Sequence, residues 1–126
     1  MPQFIAQHVR DSISGLDSFT AEYLEAIEWL LDEEIDRDTI KGFAPSAIEQ
    51  AKADCEAFQE ANAEDLEAYQ DATGCTGGVD LWLTRNRHGA GFWDRGLGDL
   101  GKRLTDAARL GECDSYQGDD GLIYLS

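Results

Sequence analysis

Residues 77–97 decide the predicted fold, and their sequence is GGVDLWLTRNRHGAGFWDRGL. They include two of the three tryptophans, one of the two histidines and three of the ten basic residues. Within them, Val79, Leu81 and Leu83 alternate with less apolar side chains, a period typical of a strand with one buried face. The glycines that follow favour a loop, because glycine adopts backbone angles that other residues resist. The stretch therefore predicts a strand over residues 79–84 and then a loop.

Upstream of this stretch, apolar side chains recur at helical spacing in two segments. The first predicted helix covers residues 20–36, with Thr20 capping its first turn. The second covers about residues 46–71, with Ser46 and Glu49 forming a capping box. These two helices make up most of the predicted N-terminal half.

Downstream, a third helix is predicted from residue 97 or 99 to residue 110, where Gly111 can stop it. Residues 115–117 and 122–125 flank a glycine- and aspartate-rich turn and predict a β-hairpin. Residues 3–13 predict either a short helix or an extended arm. The predicted fold class is therefore α+β, with two or three helices packed on a small antiparallel β-sheet.

Length and composition place the chain among globular proteins. Its 126 residues predict a single domain over residues 1–126, and 42% of them are hydrophobic, which argues against disorder. No apolar run is long enough to span a membrane, and residues 1–12 lack the pattern of a secretory signal. The three cysteines lie far apart in the sequence, which argues against a disulfide framework or a zinc site and favours a reducing cytoplasm. Cys55 is expected to be a buried, inert thiol.

The net charge of -16 is distributed unevenly along the chain. Residues 1–73, the acidic helical half, contain 18 acidic and 4 basic side chains. Residues 74–126, the aromatic and glycine-rich half, contain 8 acidic and 6 basic side chains. A charge bias that served only general solubility would extend over both halves. The asymmetry therefore directs attention to the acidic helices.

Within the acidic half, carboxylates recur at intervals of three or four residues, which places them along helix faces. Such rows repeat a charge every ~6 Å along a helix, against one phosphate per ~3.4 Å along a DNA strand. Like charges at this spacing destabilise a helix by ~0.2–0.5 kcal/mol per pair, so they are not there for stability. The candidate partner-binding residues are Glu22, Glu25, Glu28, Asp32, Glu33, Asp36, Glu56, Glu60, Glu64, Glu67 and Asp71.

These rows have two interpretations. In one, they imitate nucleic acid and occupy the basic groove of a host protein that binds nucleic acid, with salt-sensitive association. In the other, they are a solvated face that only keeps the protein soluble. Direct nucleic-acid binding is disfavoured, because the net charge repels phosphate.

The loop after the predicted strand is a second candidate site. His88 could act as a general base oriented by Asp94, while Arg85 or Arg95 binds an anion. Trp93 and Phe92 could instead fill the core, with Asp94 paired to Arg95, Arg85 or a loop amide, which would make the loop structural. A contact with a protein partner is the third interpretation. No nucleophile motif, phosphate loop or series of metal ligands accompanies these residues, and Asp114, Asp119 and Asp120 do not match a calcium-binding loop.

Two segments carry a family resemblance. Residues 80–112, DLWLTRNRHGAGFWDRGLGDLGKRLTDAARLGE, and residues 116–125, YQGDDGLIYL, resemble a module that recurs in small proteins of tailed phages and integrated elements. The resemblance implies an origin in a mobile element and a location in the bacterial cytoplasm. It implies no activity, and it does not cover the acidic half.

The combined expectation is a non-enzymatic, phage-type protein that binds and inhibits a host protein that handles nucleic acid. A CRISPR or restriction effector is the concrete form of that partner. The alternatives are a small enzyme that uses the His88, Asp94 and Arg95 loop, and a component of virion assembly. No cofactor, no metal and no membrane association are expected, and the oligomeric state stays open.

Overall fold

The computed structural model describes residues 15–31, 34–86, 90–109, 111 and 113–125. In these ranges the protein is mainly helical, with a small three-stranded mixed sheet. The predicted α+β class, with two or three helices packed on a small antiparallel sheet, is therefore wrong, because the fold is only loosely α+β. The predicted segment at residues 3–13 lies outside the described residues. The described α-helices are α1 (Ser18–Trp29), α2 (Pro45–Ala61), α3 (Ala63–Thr73), α4 (Gly78–Arg85) and α5 (Asp99–Ala107).

Helix α1 begins and ends earlier than the sequence predicted. Its N-cap is Asp17, whose carboxylate accepts a hydrogen bond from the backbone N–H of Thr20 at 3.3 Å. The helix ends at Trp29, with Leu30 as its C-cap, and so does not reach residue 36. Thr20 is buried inside the first turn and is therefore not the cap.

The predicted second helix is two helices, α2 and α3, separated at Asn62. This residue has φ -128° and ψ 27°, and its side-chain amide donates to the carbonyl of Phe58 at 2.9 Å. The side-chain amide shares this carbonyl with the backbone N–H of Asn62, at 3.1 Å, and such competition is how asparagine weakens a helix locally. The capping box predicted at the start of α2 is also wrong, because the N-cap is Ala44, without a side-chain cap, and Pro45 occupies the first turn.

The predicted strand at residues 79–84 is helix α4. Leu81 and Trp82 are adjacent in sequence, yet both are buried, as in a helix that packs against neighbours on more than one side. Gly78 allows α4 to approach α1 closely, since a Cβ atom there would lie 2.1 Å from the carbonyl oxygen of Phe19. Trp82 packs edge-on against Tyr23 of α1, with ring centroids 5.4 Å apart. Helix α4 is therefore part of the helical core.

The sheet consists of β1 (Gly42–Phe43), β2 (Ser115–Gln117) and β3 (Leu122–Leu125), with β3 in the centre. Strands β2 and β3 form the predicted antiparallel hairpin, with Tyr116 opposite Tyr124. Strand β1 pairs with β3 in parallel, with Gly42 opposite Leu122. The hairpin prediction is confirmed, and the parallel strand makes the sheet mixed. The predicted third helix is confirmed as α5, which ends at Ala107, three residues before residue 110.

Aromatic side chains from several helices meet in the core. Phe58 of α2 stacks on Phe19 of α1 and on Phe92, with centroid distances of 6.1 and 5.9 Å. Tyr69 of α3 meets the edge of Phe92 at 5.3 Å. The expected burial of Cys55 is confirmed, and this burial raises the pKa of its thiol to about 12. Residues from both sequence halves therefore share one core.

Candidate functional site

An exposed row of carboxylates runs along α2 and α3. Glu56 and Glu60 lie one turn apart on α2, and Glu67 and Asp71 lie one turn apart on α3. Together with Glu64 they are all exposed. Among the described residues, none of these five carboxylates takes part in an ion pair. We call Glu56, Glu60, Glu64, Glu67 and Asp71 the acidic row.

The candidate acidic residues of α1 are positioned differently from this row. Glu28 is only 3% exposed, so it cannot belong to an exposed binding surface. Glu22 is half-buried and accepts a hydrogen bond from the hydroxyl of Thr76. Glu25 is also half-buried. The expected continuous acidic face on the first helix is therefore not formed by these three residues.

The remaining candidates of the first predicted helix lie after the end of α1. Asp36 is exposed, and its carboxylate accepts the backbone N–H of Asp38 at 3.0 Å, next to the 3₁₀ turn Arg37–Thr39. Asp32 and Glu33 lie outside the described residues. Asp36 is thus on neither of the two helices that carry the acidic row.

Two carboxylates of the same helices are neutralised by arginines. Asp54 of α2 accepts a hydrogen bond from Arg85 at 2.8 Å. Asp65 of α3 forms a two-pronged pair with Arg103 of α5, with distances of 3.0 and 3.1 Å. These pairs attach α4 and α5 to the acidic helices. The acidic row is thus the exposed part of the α2 and α3 charge that no ion pair among the described residues neutralises.

Arg85 connects three parts of the fold. Besides Asp54, its guanidinium donates to the hydroxyl of Tyr23 at 3.1 Å and to the carbonyl oxygen of Gly111 at 2.7 Å. Burial alone would lower the pKa of Arg85, but the hydrogen bond with Asp54 and the other contacts raise it. The Arg85 guanidinium is therefore already occupied by acceptors of the protein itself.

Arg95, whose side chain is 37% exposed, forms a network with the buried residues Asp80 and Tyr69. Asp80 is 1% exposed, and Arg95 donates to its two oxygens at 2.5 and 2.9 Å. The hydroxyl of Tyr69 also donates to Asp80. Burial and then this hydrogen bond raise the pKa of Tyr69, while the bond to Asp80 raises the pKa of Arg95. Sequence reasoning missed Asp80 and Tyr69, because alternation placed Asp80 on a solvent face of a strand.

The other members of the candidate loop do not join these arginines. Trp93 is 52% exposed, so the expectation that it fills the core is wrong, whereas Phe92 is fully buried. Asp94 is exposed, and Arg95 pairs with Asp80. His88 lies outside the described residues. Arg85 and Arg95 lie at separate pockets and serve different carboxylates.

A pocket of about 440 Å³ lies beside the Asp80 network, between α1, α3 and α4. Its lining includes Glu22 and Trp29 of α1, the ring of Tyr69, and Cys75 and Arg95. Cys75 is an exposed thiol, whereas Cys55 and Cys113 are buried. The pocket thus combines aromatic surface with a carboxylate, a guanidinium and a thiol.

The described ranges contain no group of three or more histidine, cysteine, aspartate or glutamate residues that could hold a metal ion. No helix in the part of the chain that the structure describes is both long and apolar enough to cross a bilayer. No protein-family model matches the sequence, and neither a curated protein nor a solved structure matches it.

Proposed function

We propose that this is a phage-type inhibitor that binds a host nucleic-acid-handling protein through its acidic row. The observation that supports the proposal is the exposure of Glu56, Glu60, Glu64, Glu67 and Asp71 without an ion-pair partner among the described residues. Their neighbours Asp54 and Asp65 are paired with arginines. These five are the exposed carboxylates of α2 and α3 that no ion pair among the described residues neutralises.

Electrostatics gives this row a role in association. The net charge of -16 attracts a basic surface over long distances and raises the rate of encounter at low salt. The row then supplies negative charges at intervals of ~6 Å along each helix. A protein groove that binds nucleic acid presents basic side chains to the phosphates. The same side chains can contact the carboxylates of the acidic row. The expected complex is therefore sensitive to salt and competes with nucleic acid.

The concrete form of the proposal is an anti-defence protein, with a CRISPR or restriction effector as the inhibited partner. The resemblance of residues 80–112 and 116–125 to a phage module supports a mobile-element origin and a location in the cytoplasm of the bacterial host. No contact among the described residues specifically favours the enzyme alternative, because Arg85 and Arg95 are bound to carboxylates. Substitution of His88 and Asp94 by Ala distinguishes that alternative, since an inhibitor that uses the acidic row keeps its activity.

The test compares two triple variants with the same change in net charge. In the row variant, Glu56, Glu60 and Glu64 are changed to Gln. In the control variant, the exposed residues Asp106, Asp114 and Asp119 are changed to Asn. Each protein is immobilised and used to capture proteins from bacterial lysate at low and high salt, and the bound protein is then challenged with duplex DNA.

The expected result is a captured protein that duplex DNA and high salt both release, and that the row variant fails to retain. The control variant retains it. Capture that is unchanged at high salt, or that both variants reduce equally, contradicts the proposal. A defined homo-oligomer that associates with virions would instead indicate an assembly component.

A further inference from the structure

The pocket between α1, α3 and α4 is not used by the acidic row, and its charges do not cancel. Asp80 and Arg95 neutralise each other through two hydrogen bonds of 2.5 and 2.9 Å. Glu22 also lines the pocket, and the partner of its carboxylate is the neutral hydroxyl of Thr76. One negative charge therefore remains in the pocket, carried by Glu22.

The walls of the pocket add aromatic surface to this charge. Trp29 lines it and is the main aromatic wall, since Tyr69, also at the lining, is only 2% exposed, and Val79 contributes an aliphatic side chain. Aromatic rings attract cations through the negative charge of the ring face, most strongly in the case of tryptophan. The volume of about 440 Å³ lies within the range of small-ligand pockets, about 300–1,000 Å³. A carboxylate beside aromatic and aliphatic walls is suited to a ligand that has a positively charged group at the end of an apolar chain.

The charge balance excludes the opposite choice, an anionic ligand at Arg95. Two donors of the guanidinium are bound to Asp80, whose charge offsets that of Arg95. An incoming phosphate or carboxylate would also meet Glu22 and a protein with a net charge of -16. Electrostatics therefore favours a cation over an anion here.

We propose that this pocket binds the side chain of a lysine or arginine from a protein partner, with its charged end at Glu22 and its stem against Trp29 and Val79. The assignment of this lysine or arginine to a protein partner rests on the proposed function. The binding of a cation in the pocket is measured without any partner, so the two proposals can fail separately.

Cys75 provides a readout in the unmodified protein, because this residue is exposed and is part of the pocket lining while the other two cysteines are buried. The rate of its alkylation by N-ethylmaleimide is measured with increasing Nα-acetyl-lysine methylamide. The uncharged analogue Nα-acetyl-norleucine methylamide is the matched control ligand. We expect the lysine derivative to slow alkylation at least about fivefold at saturation, and the norleucine derivative to leave it unchanged. Equal protection by both ligands, or none by either, overturns the proposal.

Two variants locate the effect, each removing one carboxylate. Glu22→Gln changes the pocket, whereas Asp71→Asn changes the exposed surface of α3. We expect E22Q to weaken the lysine derivative about tenfold and D71N to weaken it less than twofold. If both variants weaken binding of the lysine derivative equally, the ligand is attracted to the acidic protein in general, and the proposal of a binding pocket is overturned. Spermidine tests a free polyamine as the occupant. If it protects Cys75 at a concentration at least tenfold lower than the lysine derivative requires, the assignment of the pocket to a lysine or arginine side chain is overturned.

Discussion

At the scale of single residues, the carboxylates that pair with arginines differ sharply in burial. Asp80 is 1% exposed and holds both Arg95 and the hydroxyl of Tyr69. Asp106, by contrast, is exposed and lies 3.8 Å from Arg109. Loss of a buried partner leaves unsatisfied polar groups, whereas exposed pairs contribute little. The Asp80 network is therefore expected to be important for stability.

We predict that Asp80→Ala lowers the free energy of unfolding by about 3 kcal/mol, because the hydroxyl of Tyr69 loses its acceptor and Arg95 its counter-charge. The control, Asp106→Ala, should change it by less than about 0.5 kcal/mol. Urea denaturation followed by circular dichroism measures both. Similar values for the two variants would show that the network contributes no more than a surface pair.

The N-cap carboxylate of α1 gives a prediction about pH. Burial alone would raise the pKa of Asp17, but hydrogen bonds from Thr20 and Gln59 outweigh it and hold this pKa below the ordinary value of 3.8. A pKa that is lower in the folded state stabilises the fold above the ordinary value, and this contribution is lost as the pH falls through the folded pKa. The stability difference between wild type and Asp17→Asn should therefore shrink below about pH 4.

The measurement is urea denaturation of both proteins between pH 2.5 and pH 7. Asp114→Asn, which removes an exposed carboxyl group outside any cap, serves as the control for general charge effects. A difference between wild type and Asp17→Asn that stays constant across this range would contradict the assignment of Asp17 as a charged cap.

At the scale of elements, sequence patterns located most helices but misassigned α4. In the eight residues from Gly78 to Arg85, helical and strand periods both fit the apolar positions. The deciding contacts come from distant residues, because Asp80 is buried by Tyr69 and Arg95, 11 and 15 residues away. Local periodicity contains no information about such contacts.

Helix ends and the sheet show the same limitation. Proline and asparagine marked the true boundaries of α2 at Pro45 and Asn62, although a capping box and one continuous helix were predicted. Strand β1 has only two residues, too few for any period, and it exists because β3 pairs with it. The spacing of the acidic row could be predicted from the sequence of its own helices, but which carboxylates stay exposed and unpaired depends on distant residues, as Glu28 of α1 and the Asp65–Arg103 pair show.

The contact between α1 and α4 provides a prediction at this scale. We expect Gly78→Ala to lower the free energy of unfolding by about 3 kcal/mol, because the new Cβ atom would lie 2.1 Å from the carbonyl oxygen of Phe19. Gly96→Ala is the control: Gly96 has φ +70° and open space around it, so backbone strain of about 1 kcal/mol is the only cost. Thermal denaturation compares them. Equal losses would mean that the two helices can separate without cost.

At the scale of the whole molecule, the net charge of -16 opposes compaction. The fold lowers part of this repulsion by pairing Asp54, Asp65 and Asp80 with arginines. The acidic row is left out of these pairs. A protein of this kind is expected to gain stability when salt screens the remaining charges.

We predict that the melting temperature rises between 10 mM and 300 mM NaCl, because the Debye length falls from about 30 Å to less than 10 Å. The row variant with Glu56, Glu60 and Glu64 changed to Gln should show a smaller rise. Differential scanning calorimetry provides the measurement, with the variant at Asp106, Asp114 and Asp119 as a charge-matched control. A rise of the same size in the row variant and the wild type would show that the row adds no repulsion.

The central position of β3 has a consequence for biosynthesis. Gly42 is paired with Leu122, 80 residues later in the chain. During translation β1 leaves the ribosome with no neighbour to bond, and it stays so until residues 122–125 have also emerged. Completion of the sheet must therefore wait for the synthesis of the whole segment between β1 and β3, and the helices of that segment emerge before the central strand.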